Sequence, residues 1–172
     1  MKKIIIACLK PLSFLPAISI MYMIYSFSSQ TGIDSGNLSL KISSKIVQLA
    51  ARLLEKDLSS AQILFYADQI HFLVRKLAHV TEYFVLAVSL CIPLYTYRIR
   101  GIWLILLAGF LCVGFAGLDE YHQSFVAGRG PSVRDVGIDS IGIFSGIFIT
   151  QFFCWRFRVR FFPKRRKKVG RH

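Results

Sequence analysis

Long apolar segments alternate with short polar ones along this chain, and the pattern predicts four membrane-spanning helices. A helix needs roughly 20 apolar residues to cross the hydrocarbon core of a bilayer. Segments of about this length lie at residues 4–27, 77–97, 102–118 and 136–155. Pro11 and Pro16 interrupt the first segment, which a membrane helix tolerates because neighbouring helices satisfy the freed backbone groups. The sequence therefore predicts an all-α, polytopic membrane helix bundle over residues 1–155.

The segment between the first and second spans has a different, amphipathic pattern. Its large apolar residues recur every three or four positions, at Leu38, Ile42, Ile46, Leu49 and Leu53. Basic residues take the other face, at Lys41, Lys45, Arg52 and Lys56. This spacing predicts a helical segment over about 38–75 that lies against the bilayer or over the bundle. Ser59 or Ser60 is placed to cap a second helix that continues into the second span.

Composition supports a membrane protein and excludes two other classes. Hydrophobic residues make up 54% of the 172 residues and charged residues 18%, whereas a soluble domain has about 25% charged residues. This deficit of charge excludes an ordinary soluble domain. The high hydrophobicity excludes a disordered chain, because such a chain has few apolar residues.

The net charge of +13 is of the kind that nucleic-acid-binding proteins have, but the positions of the charges indicate a membrane surface instead. Basic residues concentrate after the fourth span, in a tail at residues 156–172. A basic cluster beside a span typically binds anionic lipid headgroups, at about 1 kcal/mol for each Lys or Arg. We expect this tail to bind anionic lipids of the inner leaflet, and we expect no nucleic acid as a partner.

The same charges predict the orientation of the spans, because Lys and Arg accumulate on the cytoplasmic side of short loops. With four spans, both termini lie on one side of the membrane. Placing them inside puts 14 of the 22 Lys and Arg residues there, and none of the nine Asp and Glu residues. We therefore predict a multi-pass protein with both termini in the cytoplasm and an extracytoplasmic amphipathic helical segment over about 38–75.

Ionisable and polar residues gather at one end of three spans. The second span begins with Arg75, Lys76, His79 and Glu82. The third ends with Asp119, Glu120, His122 and Gln123. A Gly-rich loop with Arg129 leads to the fourth, which begins with Arg134, Asp135 and Asp139. A charge inside a span costs at least about 2.5–3.5 kcal/mol near the membrane centre, so such residues indicate function. The predicted topology brings all three clusters to the outer face.

These clusters contain the residue types that acid–base catalysis and anion binding require. His79 with Glu82, and Asp119 with His122, are spaced i, i+3, so each pair shares a helix face. We predict His79 or His122 as a general base whose tautomer a carboxyl group fixes. Glu82 and Asp119 are predicted to orient the base or to act as acids, and Glu120 is counted with them as catalytic. Arg129 is predicted to clamp an anion. The remaining members are predicted to bind substrate: Arg75, Lys76, Gln123, Arg134, Asp135 and Asp139.

Three other interpretations of the clusters stay open at this point. Long basic side chains can extend into the headgroup layer without further function. The charges can form an ion-pair network that ties the helices together without chemistry. His and carboxylate pairs on facing helices can also hold a divalent metal, and the spacing here neither requires nor excludes one.

Glycines in the third and fourth spans predict close helix packing. Gly142-x-x-x-Gly146 is the spacing that lets two helix backbones approach, and Gly109, Gly114 and Gly117 lie in the third span. We expect the third and fourth spans to touch at these residues. Such a contact would bring Asp119 near Asp135 or Asp139.

The polar residues also carry a family resemblance, in four motif blocks that occur in order. The blocks are Ser28-Ser29-Gln30, Arg75-Lys76-x-Ala78-His79-x-x-Glu82-Tyr83, Asp119-Glu120-x-His122-Gln123-x-Phe125 with Gly128-Arg129, and Asp135-x-x-x-Asp139-x-x-Gly142. Over about residues 28–146 the chain resembles the VanZ-like family. The resemblance implies a small bacterial integral membrane protein of the cytoplasmic membrane. The family's namesake is linked to low-level resistance to the glycopeptide teicoplanin.

Three classes of function follow as hypotheses. The first is a site at the outer membrane interface that binds, and if it is an enzyme also converts, a lipid-linked envelope intermediate or another anionic membrane lipid. The second is a non-enzymatic protein that shields or binds an envelope component or a partner protein, mainly through the amphipathic segment. A transporter ranks last, because the polar groups lie at one face whereas a proton path needs them across the membrane.

Overall fold

The computed structural model describes residues 10–161, which form five α-helices after a short 3₁₀ turn at Pro11–Phe14 and contain no β-strand. The helices are α1 Leu15–Ser28, α2 Gly32–Leu53, α3 Ser60–Thr96, α4 Ile102–Gln123 and α5 Val133–Phe161. The prediction of an all-α helix bundle is confirmed. Residues 4–9 of the predicted first span and residues 162–172 of the basic tail lie outside the described residues.

Four helical segments are long and apolar enough to cross a membrane, as predicted. They are Pro11–Ser28, Ser60–Thr96, Ile102–Gln123 and Val133–Arg156. Their outward faces carry large apolar side chains, among which Trp103, Phe110 and Leu118 of α4 are 71%, 76% and 68% exposed. A soluble monomer rarely exposes a continuous apolar surface of this kind. The exposed surface of the bundle is therefore suited to lipid.

Side-chain caps set the beginnings of the two helices that follow the first span. Thr31 caps α2, because its Oγ1 accepts the Asp34 backbone N–H at 3.1 Å. Ser59 caps α3 in a reciprocal capping box with Gln62, which confirms one of the two predicted cap positions. The 37 residues of α3 extend about 55 Å at 1.5 Å per residue. This length exceeds the hydrocarbon core of about 30 Å, so the first part of α3 extends beyond it and pairs with α2.

Helix α3 is the centre of the bundle and contacts all four other helices. Its contact with α5 depends on glycine. A Cβ at Gly142 would lie 2.1 Å from the Val80 carbonyl oxygen, and one at Gly146 would lie 2.7 Å from that of Phe84. The third and fourth spans do touch, but the Gly142–Gly146 motif packs against the second. The predicted partner of this motif was wrong, because the spacing shows that a backbone approaches without showing which one.

Helix α2 packs on the bundle through small residues and leaves its large apolar residues open. Ser39, Ser43 and Ala51 are its buried residues. Its large apolar residues, Leu38, Ile42, Ile46, Leu49 and Leu53, remain between 42% and 76% exposed. Of the two predicted placements of the apolar face, the open geometry favours contact with the bilayer, because this face does not cover the bundle.

The glycine contact predicts that Gly142→Ala destabilises the protein whereas Gly137→Ala does not. The new Cβ at position 142 would overlap the Val80 carbonyl, and overpacking typically costs about 1–3 kcal/mol. Gly137 lies in the same helix with nothing within 4 Å of its Cβ position, so alanine there gains up to about 1 kcal/mol of helix propensity. The measurement is the unfolding free energy of both variants in detergent micelles. Equal stability of the two would contradict the proposed contact.

Candidate functional site

The Asp119 carboxylate is the centre of a buried hydrogen-bonded cluster that joins three helices. Its Oδ2 accepts hydrogen bonds from Ser28 Oγ of α1 at 2.8 Å, from Tyr83 Oη of α3 at 3.3 Å and from Gln123 Nε2 of α4 at 2.9 Å. The Gln123 amide nitrogen also lies 3.3 Å from Ser28 Oγ. Asp119 is 5% exposed. This cluster fixes α1, α3 and α4 at the end of the bundle where the polar residues gather.

Arg129 connects this cluster to the loop between α4 and α5. Its Nη1 donates to Gln123 Oε1 at 3.0 Å, and its Nη2 donates to the Phe27 carbonyl oxygen at 3.1 Å. Burial lowers the pKa of the Arg129 guanidinium from its usual value, and the nearby charge of Arg75 lowers it further. The guanidinium stays charged, because its ordinary pKa lies above 12.

The loop also rests directly on the start of α2. The Gly32 N–H donates to the Ala127 carbonyl oxygen at 3.0 Å. A Cβ at Gly32 would lie 2.1 Å from the carbonyl oxygen of Gly128. Gly128 has a positive φ of 73°. Gly32 permits this close approach because it has no Cβ, and Gly128 permits the positive φ. The approach places Arg129 beside the ends of α1 and α2.

Two further contacts connect the start of α5 to the other helices. Glu120 Oε1 of α4 accepts the Ser132 backbone N–H at 2.6 Å. Lys76 Nζ of α3 forms an ion pair with Asp135 Oδ2 at 2.6 Å. The Lys76 ammonium also lies 5.4 Å from the centre of the Phe72 ring. Lys76 and Asp135 thus neutralise each other across the α3–α5 contact.

A polar cavity of about 220 Å³ lies among these residues, between α3, α4, α5 and the Arg129 loop. Eight of the predicted site residues line it: Arg75, Lys76, His79, Glu120, Gln123, Arg129, Asp135 and Asp139. Phe72, Ile138, Gly128 and Gly130 complete the lining. The structure therefore brings most of the predicted site residues to one cavity.

Four predicted site residues lie elsewhere. Asp119 lies in the interhelical cluster, and Arg134 is exposed at the start of α5. His122 packs against the Tyr25 ring at 4.7 Å between ring centres, away from the polar cavity. Glu82 lies one turn from His79, with 3.9 Å between Glu82 Oε2 and His79 Nδ1. This distance exceeds the roughly 2.7–3.2 Å of a hydrogen bond.

Four contacts of the site were missing from the predicted residues: Ser28, Tyr83, Phe72 and the Phe27 carbonyl. Ser28 and Tyr83 belong to the motif blocks, so the sequence contained a signal for both. Phe72 precedes Lys76 by four residues and thus shares its helix face. No sequence pattern predicts the contact with the Phe27 carbonyl, because every residue has a backbone carbonyl oxygen that can accept a hydrogen bond.

The described residues contain no assembled set of ligands for a metal ion. In the part of the chain that the structure describes, no group of three or more His, Cys, Asp and Glu side chains is arranged to hold a metal ion. The His79–Glu82 and Asp119–His122 pairs share their helix faces as predicted, but the two pairs do not combine into one site.

Comparison with known proteins identifies one family. The model of the VanZ/LLP1 family matches residues 13–154, which is most of the chain. No curated protein and no solved structure gives a significant match to this sequence. The matched range includes all residues of the polar cavity.

The interhelical cluster predicts that Ser28→Ala destabilises the bundle more than Ser29→Ala. Ser28 donates to Asp119 of another helix, whereas Ser29 Oγ donates only to the Tyr25 carbonyl of its own helix, at 2.8 Å. An interhelical hydrogen bond in a membrane contributes about 0.6 kcal/mol on average and up to roughly 1.7. Unfolding of both variants in mixed micelles measures the difference. A Ser28→Ala variant as stable as Ser29→Ala would show that the cluster does not join the helices energetically.

Proposed function

The chain belongs to the VanZ/LLP1 family of membrane proteins, and on that premise we propose that its polar cavity binds the anionic headgroup of a membrane lipid or a lipid-linked envelope intermediate. The proposal places the cavity at the outer face of the bacterial cytoplasmic membrane, with both termini in the cytoplasm. It includes a lowered susceptibility to teicoplanin, as the resemblance to the family's namesake suggests.

The observation that carries the proposal is the pair of guanidinium groups without a carboxylate partner. Arg75 and Arg129 both line the polar cavity. Among residues 10–156, neither has a carboxylate oxygen within ion-pair distance, in contrast to Lys76, which Asp135 neutralises. Arg129 donates to two neutral acceptors, an amide and a backbone carbonyl. Two such charges are suited to a phosphate or carboxylate, which a guanidinium can bind with two parallel hydrogen bonds.

The surroundings of the cavity favour a membrane-bound anion over a soluble one. Phe72 lines the cavity and is 64% exposed, and Phe27 beside Arg129 is 41% exposed. A polar cavity bordered by exposed apolar side chains matches the headgroup layer, where charged and apolar groups of a lipid meet. Polyprenyl-phosphate intermediates and anionic lipids have their phosphate or carboxylate groups in that layer.

If the cavity is catalytic, its geometry favours His79 over His122 as the general base. His79 lines the cavity, and the Glu82 carboxyl group lies one turn away on the same helix face. A neutral imidazole in this position accepts a proton from water or from a substrate hydroxyl, while a neighbouring carboxylate stabilises the imidazolium. Asp119 acts in this proposal as a positioning residue, because it holds Gln123, and Gln123 accepts a hydrogen bond from Arg129.

The alternative is a non-enzymatic protein that shields or binds an envelope component or a partner protein. The open apolar face of α2 supports it, since Leu38, Ile42 and Ile46 remain 42–45% exposed. The two proposals differ in what they require: the first depends on the cavity charges, and the second depends on the surface of α2.

We expect Arg75→Gln and Arg129→Gln to abolish the effect of the protein on the envelope, whereas Arg134→Gln retains it. Arg134 lies at the same end of the bundle but is exposed and outside the polar cavity, so it controls for loss of surface charge. Wild type and variants are expressed at matched membrane levels in a teicoplanin-susceptible Gram-positive host. Teicoplanin tolerance and the envelope lipid profile are measured together.

The variants also separate the two proposals. Loss of the effect in His79→Gln, with lipid binding retained, supports an enzyme, whereas an unchanged effect supports binding alone. If Arg75→Gln and Arg129→Gln behave as wild type and a polar substitution of the α2 surface abolishes the effect, the shielding function replaces the cavity proposal. No change in tolerance with wild type would refute the teicoplanin effect.

A further inference from the structure

A second cavity, of about 260 Å³, lies beside the polar one, between the end of α1, helix α2 and helix α3. Most of its surface is carbon, contributed mainly by Phe27, Leu38, Ile42, Val74 and Ala78. We call it the apolar cavity. Its existence is not required by the headgroup proposal, which uses only the polar cavity.

The two cavities share one wall. Arg75, His79 and Arg129 line both of them. The guanidinium groups of Arg75 and Arg129, which have no carboxylate partner among residues 10–156, therefore lie at the boundary between a polar space and an apolar one. An anion held there would have room for polar substituents on one side and for hydrocarbon on the other.

The size of each cavity supports a single ligand that extends through both. Sites for whole small molecules usually measure about 300–1,000 Å³, and each cavity here is smaller. Each is thus suited to a part of a molecule. Because the shared wall carries positive charge, the part that lies at the wall is an anionic group.

Besides the shared wall, four polar residues line the apolar cavity: Gln30, Ser35, Ser39 and Glu82. Ser39 Oγ donates its only hydrogen to the Ser35 carbonyl of its own helix at 2.9 Å, so this hydroxyl has no donor left for the cavity. Leu38 and Ile42 are 42% and 43% exposed, so the cavity borders the open apolar face of α2. A hydrocarbon chain can therefore continue from the cavity to that face and into lipid.

We propose that the apolar cavity holds the first part of the hydrocarbon chain of the same molecule whose anionic group lies between Arg75 and Arg129. This inference rests on the proposed function and narrows its substrate class. The substrate is an amphiphile whose phosphate or carboxylate is attached at, or close to, the end of an isoprenoid or alkyl chain. A lipid whose anionic group lies far from its hydrocarbon chain could not place the anion between the two arginines and the chain in the apolar cavity at the same time.

The test fills the apolar cavity and measures binding by the full-length protein in phosphatidylcholine nanodiscs. Ala78→Phe fills it from α3, with Leu77→Phe as its control, because Leu77 is the next residue and lines neither cavity. Ile42→Trp fills it from α2, with Ile46→Trp as its control, because Ile46 lies one turn further on the same face. The two pairs keep the test decisive if one filling variant does not fold.

Three ligands distinguish the parts of the molecule: farnesyl phosphate, dodecyl phosphate and glycerol phosphate. We expect the filling variants to bind both chain-bearing phosphates about tenfold more weakly than their controls and to bind glycerol phosphate as wild type does. A preference of the wild type for farnesyl over dodecyl phosphate would identify an isoprenoid chain, and the reverse would identify an alkyl chain. The nanodisc bilayer takes up either chain equally in all variants. A difference in affinity between a filling variant and its control therefore measures binding in the apolar cavity.

Failure of this inference differs from failure of the proposed function. Filling variants that bind the chain-bearing phosphates as tightly as their controls would overturn the inference and leave the headgroup site intact. Phosphate binding that does not change in Arg75→Gln, or no phosphate binding by the wild type, would overturn the headgroup site and the inference with it.

Discussion

The position of the whole polar layer depends on one buried carboxylate, that of Asp119. In a membrane, apolar side chains gain little by leaving lipid for a protein interior, so close packing and interhelical hydrogen bonds must join the helices. One oxygen of Asp119 in α4 accepts two such bonds, from Ser28 of α1 and Tyr83 of α3, and a third hydrogen bond from Gln123 of its own helix. A buried charge without partners would be very costly. The donors must therefore stay in place, and the helices that carry them are held with them.

The Asp119 cluster also positions Arg129 at the polar cavity, through Gln123. Gln123 uses its amide nitrogen on Asp119 and its amide oxygen on Arg129. Arg129 is thereby held through neutral acceptors, so its charge is not cancelled where it is positioned. Lys76 shows the opposite arrangement, because Asp135 holds it and neutralises it at once. The same end of the bundle thus contains one cation that an ion pair neutralises and another whose charge its hydrogen-bond partners do not cancel.

The sequence predicted the elements well because each had a local cause. Apolar length predicted the spans, and the capping residue Ser59 predicted the start of α3. Contacts between helices were harder to predict from the sequence. Glu120 lies between Asp119 and His122 in the sequence, yet a helix turns about 100° per residue, so Glu120 faces the loop before α5. Asp119 and His122 face α1, at Ser28 and at the Tyr25 ring. The large apolar residues of α2 indicated the face that stays exposed, whereas its small residues form the contact with the bundle.

Helix α3 explains how one bundle forms two unlike cavities with a common wall. Arg75, His79 and Glu82 are spaced i, i+4, i+7 and so form one stripe along this helix. Helices α4 and α5 and the Arg129 loop close one side of the stripe with polar groups, and α1 and α2 close the other mainly with carbon. The close approach of Gly142 and Gly146 to α3 holds α5 on the first side, and the Gly32–Gly128 contact brings Arg129 across to the second. The boundary between polar and apolar space therefore coincides with the charged stripe, because glycines on both sides allow the backbones to come near it.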